Sequence, residues 1–330
     1  MAEEKLKILY LMQVLLEETD QAHPLNASQL CEKMESLYGY GYNRKTIYTD
    51  IKRLQEFGLK IEQTKGSSFG YYVAKRDFDL AELKLLVDSV QSSKFITKAK
   101  SEELIKKLEK QTSKENAKQL QRQVYIYNRI KTDNDAIYAN VDAIHAAIHA
   151  NHQIRFKYCE WTVKKELAQR KNGADYLVSP WALTWDDENY YLVAYVEESG
   201  PQAGMIRHYR VDKIQNIVIT QEKRLGKERF EHFDLAAFAR KTFGMYGGED
   251  RNLTLEGKNH LAGVVIDRFG TDIMMRPYGA DHFHAHVTVT VSPQFFGWLA
   301  GIGKGIRISS PEDVRSQYKA YLKEIMDADG

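Results

Sequence analysis

Two punctuated stretches near the start of the chain limit most strongly what can be built around them. "NASQLCEKMESLYG" opens on an N-cap, Asn26 or Ser28, and stops at Gly39; "NRKTIYTDIKRLQEFG" opens on Asn43 and stops at Gly58. A side-chain oxygen at the N-cap satisfies an orphan helix N–H, and glycine accepts the left-handed backbone that closes a helix. In the second stretch Ile47, Ile51 and Leu54 recur at helical spacing and mark one apolar face. Ahead of both, residues 3–18 carry Leu6, Leu9, Val14 and Leu16 at helical spacing. Behind them, "LKIEQTKGSSFGYYVAK" reads as two strands around the turn Lys65-Gly66-Ser67-Ser68.

Helix, helix, helix, hairpin is the order of a winged helix-turn-helix, whose third helix enters the major groove of DNA. The charge distribution agrees. Over residues 42–76, Arg44, Lys45, Lys52, Arg53, Lys60, Lys65, Lys75 and Arg76 face only Asp50, Glu56 and Glu62, whereas residues 1–41 are acidic. The overall net charge of +2 conceals this patch. Arg44, Lys45, Thr46, Tyr48, Thr49, Lys52 and Arg53 are expected to supply donors for base edges and phosphates, with Lys65 at the hairpin tip. The expected partner is a double-stranded DNA operator. A solvated basic face is the alternative reading of the same helix.

The remaining chain divides by pattern. Residues 77–139 are charge-rich and helical ("DLAELKLLVDSVQ", "SEELIKKLEKQTSKENAKQL"), as expected of a connector or a dimer-forming surface. Over 140–225 the helix "VDAIHAAIHANH" precedes five strands, "QIRFKYCE", "DYLVSPWALTW", "NYYLVAYVE", "MIRHYRVDKI" and "NIVITQE". Five short strands after one helix predict a small barrel or a strongly bent sheet. Residues 226–330 read as a mixed α/β module, starting with the helix "DLAAFARKTF". The fold class expected is α+β.

Two blocks resemble known families. "NRKTIYTDIKRLQEFGLKIEQTKGSSFGYYV" resembles the recognition helix and wing of DeoR-like regulators, with Lys45 and Thr49 at positions where that family usually has arginine. "SPWALTWDDENYYLVAYVEES" with "MIRHYRVDKIQNIVI" resembles the WYL domain: Tyr190-Tyr191-Leu192 takes the place of its Trp-Tyr-Leu triplet, and Arg207, Tyr209-Arg210 and Asp212-Lys213-Ile214 follow its arginine-bearing strand. "GWLAGIGKGIRISSPEDVRSQYKAYLKEI" resembles the extension that often follows such domains. The resemblance implies a homodimeric transcription regulator whose Sm/SH3-like barrel senses a nucleic-acid or nucleotide-like effector.

The residues of the barrel suit that role, since guanidinium groups and rings match phosphates and bases. Tyr191, Tyr195, Arg207, His208 and Arg210 are the candidate ligand contacts. Strand alternation places Ile206, His208 and Arg210 on one face and Arg207 on the other, so the two arginines share a pocket only across a bulge or bend. It likewise separates Tyr190, on the core side with Leu192 and Ala194, from Tyr191 and Tyr195. An alternative reading is an RNA or single-stranded nucleic-acid-binding factor that works mainly through the barrel.

Other classes find little support. There is no G-x-S-x-G, no H-E-x-x-H and no phosphate loop around "GMYGGED", so no enzyme and no cofactor are expected. His282, His284 and His286 alternate on one strand face, which reads as a polar sheet face rather than a metal site. Two cysteines far apart, Cys31 and Cys159, with no signal-peptide core and no apolar run of about 18 residues, lead to the expectation of a cytoplasmic protein that does not enter a membrane.

Overall fold

A computed structural model describes residues 2–65, 69–120, 131, 132, 134, 136–186, 188–197, 204–230, 238 and 240–328. The chain forms two compact units, Met1–Asp133 and Asn134–Gly330.

The first unit begins with α1 (Ala2–Glu18), α2 (Ala27–Tyr38) and α3 (Arg44–Phe57), followed by the antiparallel pair β1 (Ile61–Gln63) and β2 (Tyr71–Val73). The caps act as the sequence implies. Asn26 accepts from the Ser28 and Gln29 amides while the Gln29 side chain returns to the Asn26 amide, and Asn43 accepts from Thr46. Gly58 ends α3 at φ +116°, a backbone that side chains resist. Leu11, Val14 and Leu15 of α1 meet Leu30 and Met34 of α2 and Ile47, Ile51 and Leu54 of α3, so each helix turns its apolar stripe to one core. Leu25 exchanges two backbone hydrogen bonds with Tyr71, and a side chain at Gly70 would run into the Leu25 backbone.

The helical stretch beyond is α4 (Leu80–Ser92), α5 (Lys98–Glu109) and α6 (Lys114–Leu120) around Leu83, Val87 and Leu120. Sequence patterning runs α5 and α6 together; the structure separates them by residues 110–113, which include Ser113. There the buried Ser113 hydroxyl donates to the buried Asp20 carboxylate at 2.5 Å, and Lys114 pairs with Glu18. These contacts tie α6 to the end of α1 within one compact unit.

The second unit opens with α7 (Ala136–Ala150), then β3 (His152–Trp161), β4 (Leu167–Gln169), β5 (Tyr176–Asp186), β6 (Asn189–Val196), β7 (Met205–Arg210) and β8 (Ile214–Lys223). The sheet order is β4-β3-β5-β6-β7, with β8 also paired to β3, and every pairing is antiparallel. A 3-10 turn, Val211–Lys213, joins β7 to β8, and the sheet curls into a half-barrel until the Arg210 amide reaches the Tyr158 hydroxyl at 3.1 Å. Phe156, Tyr176, Val178, Leu192, Ala194, Tyr209 and Ile214 fill the inside, with Ile144 and Ala147 of α7 against them.

After a short helical turn, α8 (Lys227–Phe230), the C-terminal part has β9 (Glu249–Lys258), α9 (Ala262–Phe269), β10 (Met274–Tyr278), β11 (His282–Val291), α10 (Pro293–Ile302), β12 (Ile306–Ser310) and α11 (Glu312–Ala328). Its sheet runs β10-β11-β9-β12, and Leu255, Phe283, Ala285 and Ile308 meet Val265, Phe295 and Leu299 of the helices. Half of the helix expected at "DLAAFARKTF", residues 234–237 and 239, lies outside the described residues.

Candidate functional site

Two surfaces carry the candidate residues. On α3, burying Ile47, Ile51 and Leu54 turns Arg44, Lys45, Thr46, Tyr48, Thr49, Lys52 and Arg53 to solvent. Arg44, Lys45 and Lys52 have no ion pair among the described residues. Arg53 is tethered to Asp50 at 3.0 Å. Asp50 is buried; its other oxygen accepts from the Tyr42 hydroxyl at 2.8 Å. Burial pushes the Tyr42 phenol up, and the hydrogen bond to Asp50 adds to this.

The threonines differ from expectation. Thr46 donates its hydroxyl to Asn43 Oδ1 at 3.0 Å, and Thr49 donates to the Lys45 carbonyl at 3.1 Å. Their protons are therefore used inside the helix, leaving these side chains as acceptors rather than phosphate donors. Tyr48 is 47% exposed and its ring lies 6.3 Å from Tyr71, which Phe69 abuts at 6.0 Å. Sequence reasoning left out Phe69; an aromatic residue beside the turn was its only signal. Lys65 is exposed, and the turn residues 66–68 lie outside the described residues.

In the barrel, the β6–β7 register pairs Tyr191 with Arg210, Val193 with His208 and Tyr195 with Ile206. These residues share the face opposite the core. Leu192 pairs with Tyr209 and Ala194 with Arg207 on the core side. The β6–β7 ladder runs without a register shift, so Arg207 is separated from Arg210 by the pleat. Tyr190 packs against the barrel core.

The shared face is covered at His208, which corrects the expected role of that residue, while Tyr195 stays half-buried beside an open cleft lined by Gln153, Leu177, Ser179 and Glu197. The His208 ring lies 4.9 Å from Phe238, and its Nε2 is sealed from solvent. Burial pushes the imidazole down to about 4; a hydrogen bond to the Met245 backbone opposes this and Arg207 adds to it. Tyr195 lies against Gly226, where a β-carbon would fall 2.4 Å from the ring. Trp181 stacks on Phe230 at 4.9 Å, donates to the Leu225 carbonyl at 2.8 Å and carries the Arg224 guanidinium 4.1 Å from its ring centroid. The segment after β8 thus roofs this end of the face.

What stays accessible is the end at Arg210. Its guanidinium makes a two-point contact with Asp212, 3.0 and 2.9 Å, which pushes its pKa up. Asn134 donates to the Asp212 carbonyl and Asn140 to those of Val211 and Ile214, so the start of the second unit fixes the turn that aims these groups. Burial pushes the Tyr158 phenol up and the Lys213 ammonium down. Lys213 lies 3.6 Å from Asp212 and 4.5 Å from the Trp161 ring centroid. Trp161 and Lys213 were not among the residues singled out for ligand contact.

His282, His284 and His286 do share the outer face of β11. His284 stacks on Tyr278 at 3.9 Å and lies 3.5 Å from Glu256, while His286 meets Thr254 at 3.1 Å. Among the described residues no group of three or more His, Cys, Asp or Glu is placed to hold a metal. No helix among them is long and apolar enough to cross a membrane.

Residues 139–219 match the WYL domain. Two solved structures are similar over much of the chain. One is proteasome accessory factor B/C (PafBC) of Arthrobacter aurescens, at 19% identity and TM-score 0.29, covering 96% of this chain and 48% of that one. The other is a CRISPR Cas-related protein, at 16% identity and TM-score 0.37, covering 86% of this chain and 72% of that one. The chain therefore spans about half the length of the first. No curated protein matches it.

Proposed function

We propose that this chain is a ligand-responsive, DNA-binding transcription regulator, acting as a homodimer on an inverted-repeat operator. In this reading the three helices and the hairpin are a winged helix-turn-helix, α3 lies in the major groove, and the WYL domain senses a nucleic-acid or nucleotide-like effector. The observation that carries it is the division of α3 into a buried stripe (Ile47, Ile51, Leu54) and a solvent face bearing Arg44, Lys45, Lys52 and Arg53. Groups of that kind along a helix neutralise phosphates and read base edges. Effector at the barrel shifts the population of spacings between two such helices and so alters operator affinity.

The test is fluorescence anisotropy with duplex DNA from the gene's own promoter region, over a series of salt concentrations. Affinity should fall steeply as salt rises; absence of binding at low salt ends the reading. The Arg210–Lys213 end of the barrel favours a second reading, a single-strand or RNA-binding factor working mainly through that domain. Competition between duplex and single-stranded oligonucleotides separates the two.

A further inference from the structure

Tyr48 stands on the solvent face of α3 and keeps 47% of its surface exposed. Residues four apart on a helix lie one above the other, so Arg44 sits one turn before Tyr48 and Lys52 one turn after it. Both cations are exposed, and neither has an ion pair among the described residues. The ring is therefore an apolar interruption in a stripe of unpaired charge.

Phe69, 49% exposed, enlarges that interruption from the hairpin. Its ring lies 6.0 Å from the buried Tyr71 ring, which Tyr48 approaches to 6.3 Å from the helix. The backbone that carries Phe69 is held on both sides. The Gly70 amide donates to the Thr64 hydroxyl at 3.1 Å, and the Gly70 carbonyl accepts from the Thr64 amide at 3.0 Å. A β-carbon at Gly70 would fall 2.9 Å from the Leu25 backbone, so only glycine fits this approach. Two half-open rings on fixed supports offer contact area that needs little further ordering on binding.

We propose that Tyr48 and Phe69 form a seat for the C5-methyl group of thymine, so that α3 prefers A·T pairs beneath its centre. Flanking cations call for a polyanion, and the apolar projection that a duplex presents in its major groove is the thymine methyl. Arg44 and Lys52 meet phosphates to either side, Tyr48 lays its ring against the methyl, and Phe69 closes the hairpin side against water. This base preference rests on the DNA-binding reading and adds to it the identity of a base.

The experiment is anisotropy of the full chain at low salt with labelled duplexes of about 20 base pairs, alternating adenine and thymine, against the same duplex with deoxyuridine for thymidine. Wild type should bind the thymine duplex roughly fourfold more tightly, the worth of one buried methyl group. Tyr48→Ala should remove the preference, Tyr48→Phe should keep it, and Phe69→Ser should reduce it. A second comparison uses alternating guanine–cytosine duplexes with and without 5-methylcytosine, whose methyl projects into the same groove; wild type should prefer the methylated one. That comparison needs no variant, so the test survives if Tyr48→Ala fails to fold. Equal wild-type affinity within both pairs, or a preference that persists in Tyr48→Ala, overturns the methyl seat and leaves DNA binding standing. A wild-type chain that binds none of these duplexes overturns the seat and the DNA-binding reading together.

Discussion

Tyr191 and Arg210 lie directly opposite each other on β6 and β7, and the Arg210 guanidinium is held by Asp212 rather than left to solvent alone. Tyr191 is itself buried, so the expected contact role of its ring is corrected, and only the charged fork of Arg210 stays accessible at this end of the barrel face. Arg210→Ala should therefore abolish the response to effector while operator binding in its absence persists. The check is operator titration with and without effector, alongside a urea unfolding curve. A variant that unfolds at lower urea and loses operator binding as well makes Arg210 a structural residue.

On α3 the exposed threonines and lysines should behave differently. Lys52→Ala removes a free cation, so operator affinity should drop for all sequences alike and the log–log salt slope should become shallower by about 1. Thr49→Val should change affinity little, because the Thr49 proton already serves the Lys45 carbonyl. Anisotropy titrations across a salt series measure both. A larger loss for Thr49→Val than for Lys52→Ala would contradict this assignment.

His208 gives the second unit a pH dependence of definite sign. Its imidazole titrates at about 4 in the folded chain, against about 6.5 when unfolded. The unfolded chain binds more protons between those values, so this contribution is fully present above about pH 6.5 and is lost as the pH falls toward 4. By pH 5 the loss amounts to at most about 2 kcal/mol. Urea unfolding of wild type and His208→Gln at pH 7.5 and 5 compares them; the variant should lose less on acidification. Equal losses would show that His208 is not the group responsible.

Gly226 holds the roof against Tyr195. At φ +79°, with a β-carbon position 2.4 Å from the Tyr195 ring, Gly226→Ala combines backbone strain with a steric clash. A destabilisation of about 2 kcal/mol or more is expected. Adding Tyr195→Ala should relieve the clash and leave the strain, so the two changes should not be additive. Additive changes in the urea midpoint would place the cost of Gly226→Ala elsewhere.

Much of this molecule is local, and local features are legible in the chain. Asn26, Asn43, Gly39 and Gly58 bound their helices because capping involves only a few neighbouring residues. The parity of β6 and β7 follows from the two-residue period of a strand, which by itself groups Tyr191 with Tyr195 and His208 with Arg210, and sets Arg207 apart. The strand β9 is harder to see, since Leu253 and Leu255 are its main apolar signals in a charged stretch.

The caps, the apolar stripes, the strand faces and the basic surface of α3 follow from local patterns in the chain. Which faces remain open depends instead on long-range packing. Asp50 is buried because Tyr42 and Arg53 close around it, and His208 looks available until Phe238 and Met245 cover it. Ser113, just ahead of α6, accepts from the Asn116 amide while its own hydroxyl donates to Asp20, far away in the chain. Periodicity assigns a side chain to a face, but burial depends on what long-range contacts bring over it, and no local pattern encodes that.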